Sequence, residues 1–315
     1  MKTKDAINQY VQYRENLGGK FKISTFVLKS FAEYVGDEKE LADIQSIECK
    51  NYLYKKAQKN SKITVYWFNI YNVLNGLFSW ALIRNYIKGN PLPIDKPNKP
   101  LAFIPYIYSQ EELKLIFENS LTYRKRFNII YPESMRIIFM VTYLLGLRPS
   151  ETLKLCIADV HLGNENYAVI RLTKFHKSRI VPFNNMVASL LSKHLKWRKE
   201  NNLPESPKDC LFMTRKKEPV KLSAIQQAFR TVCNKSNIHR NDAMKSDVRI
   251  YDLRHTFATN RIISWYKEGK NVQELLPFLS TYLGHCNLDS TSVYISFTDT
   301  LLHEASFIFE SYINK

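Results

Sequence analysis

The stretch from Arg249 to Phe297 reads RIYDLRHTFATNRIISWYKEGKNVQELLPFLSTYLGHCNLDSTSVYISF. Tyr-Asp-Leu-Arg-His (251–255) opens an apolar-periodic segment, and Leu-Gly-His (283–285) is followed nine residues later by Tyr294. Phosphoryl transfer needs a cation fork for the non-bridging oxygens, a hydrogen-bond donor beside it and a nucleophile within reach. Arg254, His285 and Tyr294 are residue types that supply those three parts. Taken singly, each is equally at home on the surface or in the core of a basic protein. The missing parts must come from elsewhere in the chain.

The chain has 315 residues, enough for two domains or one large one. A hydrophobic content of 45% is that of a folded protein. The formal charge is +17 and the pI about 9.5. Basic residues outnumber acidic ones 16 to 9 up to position 105 and 30 to 20 beyond it, so both halves are positive. A polyanion is the natural partner, held in a salt-sensitive way. Cys49, Cys156, Cys210, Cys233 and Cys286 show neither CxxC spacing nor a histidine at metal-ligand distance. They read as small core residues in a reducing compartment, with no metal. The opening MKTKDAINQYVQYREN lacks the apolar core of a signal peptide. The longest apolar run, 137–147, is too short for a bilayer. A soluble, cytoplasmic protein without membrane contact is expected.

Residues 1–88 read as helical. Ile7, Tyr10 and Val11 share one face and Phe26, Leu28, Phe31 and Val35 another, with Gly18-Gly19 and Gly36-Asp37 as breaks. A third helix is expected over Ser46–Ala57, and a long fourth from near Ser61 to Ile87, stopped by Gly89-Asn90-Pro91. Lys55, Lys56, Lys59 and Lys62 interleave with aromatic residues, which fits a solvated face or a DNA-contacting one. The global charge makes these lysines candidates for DNA contact. Prolines at 91, 93, 97, 100 and 105 remove donors and forbid helix, so this stretch reads as a stiff linker. The expected division is a domain over 1–90, a linker over 91–105 and a second domain over 106–315.

Helix resumes at Ser109, where Ser-Gln-Glu-Glu looks like an N-cap with acids in the first turn. Ser134–Leu145 is apolar and therefore buried; Gly146 ends it and Pro149 opens the next helix. Arg148 is caught in that joint, where it needs a partner against desolvation, and Glu151 is in position to orient it. Such a pair is structural or part of a site. From Asp159 to Phe183 the period becomes two, giving a small antiparallel sheet. Its turn presents Lys174 at the start, with Lys177 and Arg179 as further DNA-contact candidates. Helices follow over Asn185–Glu200 and Ser223–Asn237. A helical tail is expected from about Thr300 to Ile313, with Leu301, Leu302, Phe307, Ile308 and Tyr312 apolar.

Arg148 in GLRPSE, Lys174 in TKFHKSRIVP, Arg254 in YDLRHTFAT, His285 in YLGH and Tyr294 in TSVYIS occur in that chain order. The set resembles the tyrosine site-specific recombinases, the phage integrase family, of the type carried by mobile elements. The match covers the whole second half, and the helices ending in Gly-Asn-Pro look like the family's core-binding domain. The resemblance implies a mainly α fold with a small antiparallel β-sheet: a four-helix, SAM-like core-binding domain and a catalytic domain, closing on DNA as a C-shaped clamp. It implies double-stranded DNA as partner, monomers or weak associations when free, four protomers in the synaptic complex, exchange of the C-terminal helix between neighbours, and association with the nucleoid.

The resemblance also assigns roles. Only about one tyrosine in a thousand is phenolate at pH 7, so Tyr294 needs a cationic pocket or a base to attack phosphorus. Arg148 and Arg254 would grip the non-bridging oxygens. Lys174 would protonate the leaving 5′ oxygen, and His285 would hydrogen-bond a phosphate oxygen. The product would be a 3′-phosphotyrosyl link, formed with no cofactor, ATP or metal. Tyr251 stands where the family usually has histidine, and a phenol is a poor base near neutrality, so the general base is open. His255 is expected to point elsewhere on its helix as a structural residue. Two alternatives share the residues: a type IB topoisomerase, and a catalytically decayed DNA-binding protein.

Overall fold

Apolar spacing at three and four residues builds the N-terminal unit, Met1–Ala102, of the computed structural model. The structure describes residues 1–19, 21–59, 62–100, 104–123, 129–171, 178–240, 247–285, 291 and 294, with backbone alone for 56–59 and 62. Helix α1 (Thr3–Asn16) buries Ala6, Ile7 and Tyr10, and α2 (Lys22–Val35) buries Val27, Leu28, Phe31 and Ala32. The face of α2 is thus rotated from the expected one: Phe26 is 72% exposed. α3 (Ser46–Ala57) leads into a hairpin of β1 (Gln58–Lys59) and β2 (Lys62–Ile63), then α4 (Val65–Ile83). α4 is apolar nearly all round because it is the central helix, packed by the other three. It approaches α1 so closely that a Cβ on Gly76 would meet the Tyr10 hydroxyl at 2.4 Å.

The first residues of the proline-rich stretch belong to this unit. Leu92 is buried in its core, Tyr71 donates from its hydroxyl to the Pro93 carbonyl at 3.2 Å, and Lys96 lies 4.3 Å over the Tyr71 ring. An apolar residue and an aromatic face fix this segment where proline alone would leave it extended.

The second unit, Phe103–Lys315, opens with α5 (Gln110–Leu121). Ser109 and Glu112 form a reciprocal capping box at its start. α6 (Pro132–Leu144) runs through the core with Met135, Ile138, Phe139 and Val141 buried. Gly146, at φ +57°, stops it, and α7 (Pro149–Thr152) follows. β3 (Val160–His161), β4 (Tyr167–Ile170) and β5 (Arg179–Pro182) form an antiparallel sheet in sequence order, with Ala168 opposite Val181. α8 (Asn185–Glu200), α9 (Leu222–Lys235), α10 (Asp252–Lys267) and α11 (Val272–Leu283) complete the described elements. The expected tail helix lies outside the described residues. The four described cysteines are free thiols. No described helix is long and apolar enough to cross a membrane.

Gly146 is irreplaceable on two counts. Its φ is left-handed, and an added Cβ would sit 2.3 Å from the Phe257 ring of α10. Gly146→Ala is expected to cost at least about 2 kcal/mol and to lower the Tm of the second unit by about 4–8 °C. Thermal unfolding followed by circular dichroism checks this; an unchanged Tm would show that α10 yields freely.

Candidate active site

Separate segments of the second unit converge on one carboxylate. The joint between α6 and α7 holds Arg148 by its backbone N–H, which donates to Glu151 Oε2 at 3.0 Å, while its Nη1 donates to Oε1 at 2.7 Å. From β5, Arg179 donates through Nη1 and Nη2 to the same two oxygens, at 3.1 and 2.8 Å. Arg254 Nη1 stands 3.8 Å from Oε2. Burial alone would raise the Glu151 pKa, but Arg179 and Arg148 outweigh it and bring it down to about 2. Three guanidinium groups against one carboxylate leave a surplus of positive charge in a space shielded from water, where charge acts strongly.

Arg179 corrects an expectation. Taken from sequence as a DNA contact, its side chain is only 10% exposed and also donates through Nε to the Tyr282 carbonyl at 2.8 Å. Strand alternation explains this: in β5 residues 179 and 181 face inward while Ile180 faces out.

Arg254 sits in the first turn of α10 and is completely buried. Nη1 donates to the Gly146 carbonyl at 2.8 Å and Nη2 to the Leu283 carbonyl at 2.6 Å. Its buried Nε has no hydrogen-bond partner among the described residues. Burial, with Arg148 pushing the same way, draws its pKa down to about 10, so it stays charged near neutrality. Two carbonyls thus hold the cation from behind, and a donor is left over.

α11 ends at Gly284, at φ +70°, where an added Cβ would lie 2.8 Å from Arg179 Nη1. Arg148 Nη2 donates to the Gly284 carbonyl at 3.2 Å. The turn delivers His285, whose Nε2 lies 3.0 Å from Arg254 Nη2 and whose Nδ1 lies 2.7 Å from Thr291 Oγ1. Arginine only donates, so Nε2 accepts and the proton sits on Nδ1, bonded to Thr291. Burial first, then Arg254 and Arg148, lower the His285 pKa to about 4 and keep the ring neutral.

Tyr294 is 3% exposed, with its ring parallel to that of His285 at 6.3 Å. Burial raises its pKa to about 12, against the pull of Arg254 and Arg148. Tyr251 immediately precedes α10; with Glu151 it raises the Arg148 pKa against the lowering effect of burial.

His255 also departs from expectation. Instead of pointing away, its Nδ1 lies 3.0 Å from the Tyr294 hydroxyl, and its ring is 5.2 Å from that of Tyr251. The sequence held the signal: positions 251 and 255 are four apart on one helix and so share a face.

Arg148, Glu151, Tyr251, Arg254, His285 and Tyr294 are therefore brought together. Lys174 and Lys177 lie outside the described residues, as do the side chains of Lys56, Lys59 and Lys62. Lys55 is exposed, with its Nζ 5.4 Å over the Tyr34 ring. Among the described residues no cluster of histidine, cysteine or carboxylate could hold a metal ion. The assembled chemistry is that of an anion pocket with a phenol at its edge.

The model of the phage integrase family matches residues 109–300. The integrase/recombinase-type protein y4rB of Sinorhizobium fredii is 26% identical over 304 residues, covering 96% of this chain and 95% of that one. Among solved structures, the XerH site-specific recombinase bound to palindromic difH substrate superposes with a TM-score of 0.65 at 20% identity, covering 98% and 97% of the two chains. The Tn1549 transposon integrase in complex with circular intermediate DNA gives 0.66 at 18%, covering 93% and 95%.

Because the Glu151 pKa is depressed, its contribution to stability is complete above the ordinary value of 4.5 and is lost as pH falls toward about 2. Glu151→Gln is expected to lower unfolding free energy at pH 7 by about 3 kcal/mol. Denaturant titrations at a series of pH values check this. A deficit that does not shrink under acid conditions contradicts the ion-pair account.

Proposed function

The chain belongs to the phage integrase family and is a site-specific DNA recombinase; from that premise we propose that it cuts and rejoins DNA through Tyr294. The observation that carries the reading is Arg254: a buried guanidinium anchored on two carbonyls, its Nε without a hydrogen-bond partner among the described residues, beside His285 and the Tyr294 phenol. A buried cation that shares its one carboxylate with two other guanidinium groups is under-compensated, and an arriving phosphodiester supplies further negative charge and an acceptor for Nε.

Arg148 and Arg254 grip the non-bridging oxygens and stabilise the charge that builds as the Tyr294 oxygen approaches phosphorus. The bond to the 5′ oxygen breaks and that oxygen takes a proton, a role assigned to Lys174. The 3′-phosphotyrosyl link conserves the bond for rejoining, so no ATP is consumed. Glu151 keeps Arg148 and Arg179 from repelling each other and fixes their orientation before DNA arrives. For His285 to donate to phosphate, Nε2 must exchange its acceptor role for a proton, which becomes feasible once Arg254 turns to the phosphate.

The N-terminal unit, with the start of the proline-rich stretch packed on it, serves as the core-binding domain with Lys55, Lys56, Lys59 and Lys62 on the DNA backbone, and the second unit serves as the catalytic domain with Lys177 as a further backbone contact. Four protomers assemble on two sites. A cavity of about 790 Å³ lined by Phe183, Met186, Phe257, Trp265 and Phe278 supports exchange of the apolar tail beyond Thr300 between neighbours. The topoisomerase and decayed-protein alternatives have no observation in their favour.

A suicide substrate drawn from DNA flanking the gene is expected to trap a covalent adduct with the wild-type chain and none with Tyr294→Phe, at unchanged DNA affinity. An adduct on the variant would move the nucleophile elsewhere, first to Tyr282. Deleting residues 300–315 is expected to weaken synapsis more than single-site binding, as read by native gel shift; equal losses would count against tail exchange.

A further inference from the structure

Among the described residues the pocket contains many cations but few proton acceptors. Tyr294 keeps its proton at neutral pH, and neither Arg148 nor Arg254 can take it. The lone pair of His285 Nε2 is occupied by Arg254 Nη2 at 3.0 Å. Tyr251, at the position where the family usually has histidine, is itself a phenol. One described basic nitrogen touches the reacting oxygen: His255 Nδ1, 3.0 Å from Tyr294 Oη.

We propose that His255 is the general base for strand cleavage, its Nδ1 taking the Tyr294 proton as the oxygen–phosphorus bond forms. This rests on the reading of Tyr294 as nucleophile. The imidazole is confined between the Tyr251 and Tyr294 rings, at centroid distances of 5.2 and 5.5 Å. With its own proton on Nε2, it presents the Nδ1 lone pair to the phenol. Burial first, then Arg249, Arg254 and His285, lower its pKa to about 3, so that lone pair is free before DNA binds. A phosphodiester between Arg148 and Arg254 brings a negative charge that offsets those cations and favours the imidazolium as transfer proceeds. The step balances: Tyr294 O–H and P–O5′ break, the tyrosyl O–P bond forms, the phenol proton passes to Nδ1, and O5′ takes a proton from the acid assigned to Lys174. In rejoining, the imidazolium returns its proton to the departing tyrosine.

The test uses the full chain and two versions of the suicide duplex, one ordinary and one with sulfur at the bridging 5′ position. A thiolate leaves without a proton, so the sulfur substrate removes the need for an acid and leaves the need for a base. His255→Ala and His255→Asn are expected to form the adduct about 100-fold more slowly on both substrates. Lys174→Ala is expected to be slow on oxygen and restored on sulfur. Asparagine keeps an acceptor near the Nδ1 position but cannot carry the proton, so wild-type rates with His255→Asn would reduce His255 to a positioning residue and overturn the proposal. So would wild-type rates with His255→Ala, or recovery of the His255 variants on sulfur alone. Equal duplex affinity across the variants guards against misfolding. If the wild-type chain forms no adduct on the sulfur substrate, the nucleophile assignment itself falls and takes this inference with it.

Discussion

Glu151 is the constraint on which the catalytic unit turns. Its two oxygens accept from the Arg148 backbone, the Arg148 side chain and Arg179, and Arg254 stands just beyond. Removing one partner from a buried ionic cluster leaves charge without compensation, at a cost of about 3–5 kcal/mol. The segments bearing these arginines are far apart in sequence, and the carboxylate adds an ionic tie to their apolar packing. The carboxylate makes the α6–α7 joint, the root of β5 and the start of α10 mutually dependent, and neutralises part of the positive charge so that the rest can be gathered.

What remains is a deliberate imbalance. On the proposed reading, a phosphodiester adds one negative charge to a site with an excess of cations among its described residues, so that binding would relieve electrostatic stress as well as form hydrogen bonds. Burial first, and then the same imbalance, explain the neutral histidines. With guanidinium groups nearby and little water, both His255 and His285 are held well below ordinary histidine pKa values. They act as acceptors and donors, not as additional cations, and the division of labour between charge and proton transfer follows from their surroundings.

Much of this was legible from sequence because it depends on local rules. The cap at Ser109, the glycine stop at Gly146 and the change of period near Tyr167 each leave a mark within a few residues. The order of Arg148, Arg254, His285 and Tyr294 was equally plain. What escaped was directional. The face of α2 is set by which residues meet α4, so Phe26 reads as inward from spacing alone although it lies on the outside. Arg179 reads as one more cation in a basic hairpin until strand alternation and Glu151 turn it inward. His255 follows a principal residue and reads from sequence as structural, yet its helical phase aims it at Tyr294. Charge and spacing are properties of the chain; orientation belongs to the packed structure.

The burial of Tyr294 carries a consequence for its reactivity. A phenol with a pKa of about 12 is ionised in only about one molecule in a hundred thousand at pH 7. On the proposed reading, such a phenol is a poor nucleophile until a proton acceptor and a phosphate are both in place. The same dry enclosure that would house the reaction thus also restrains it.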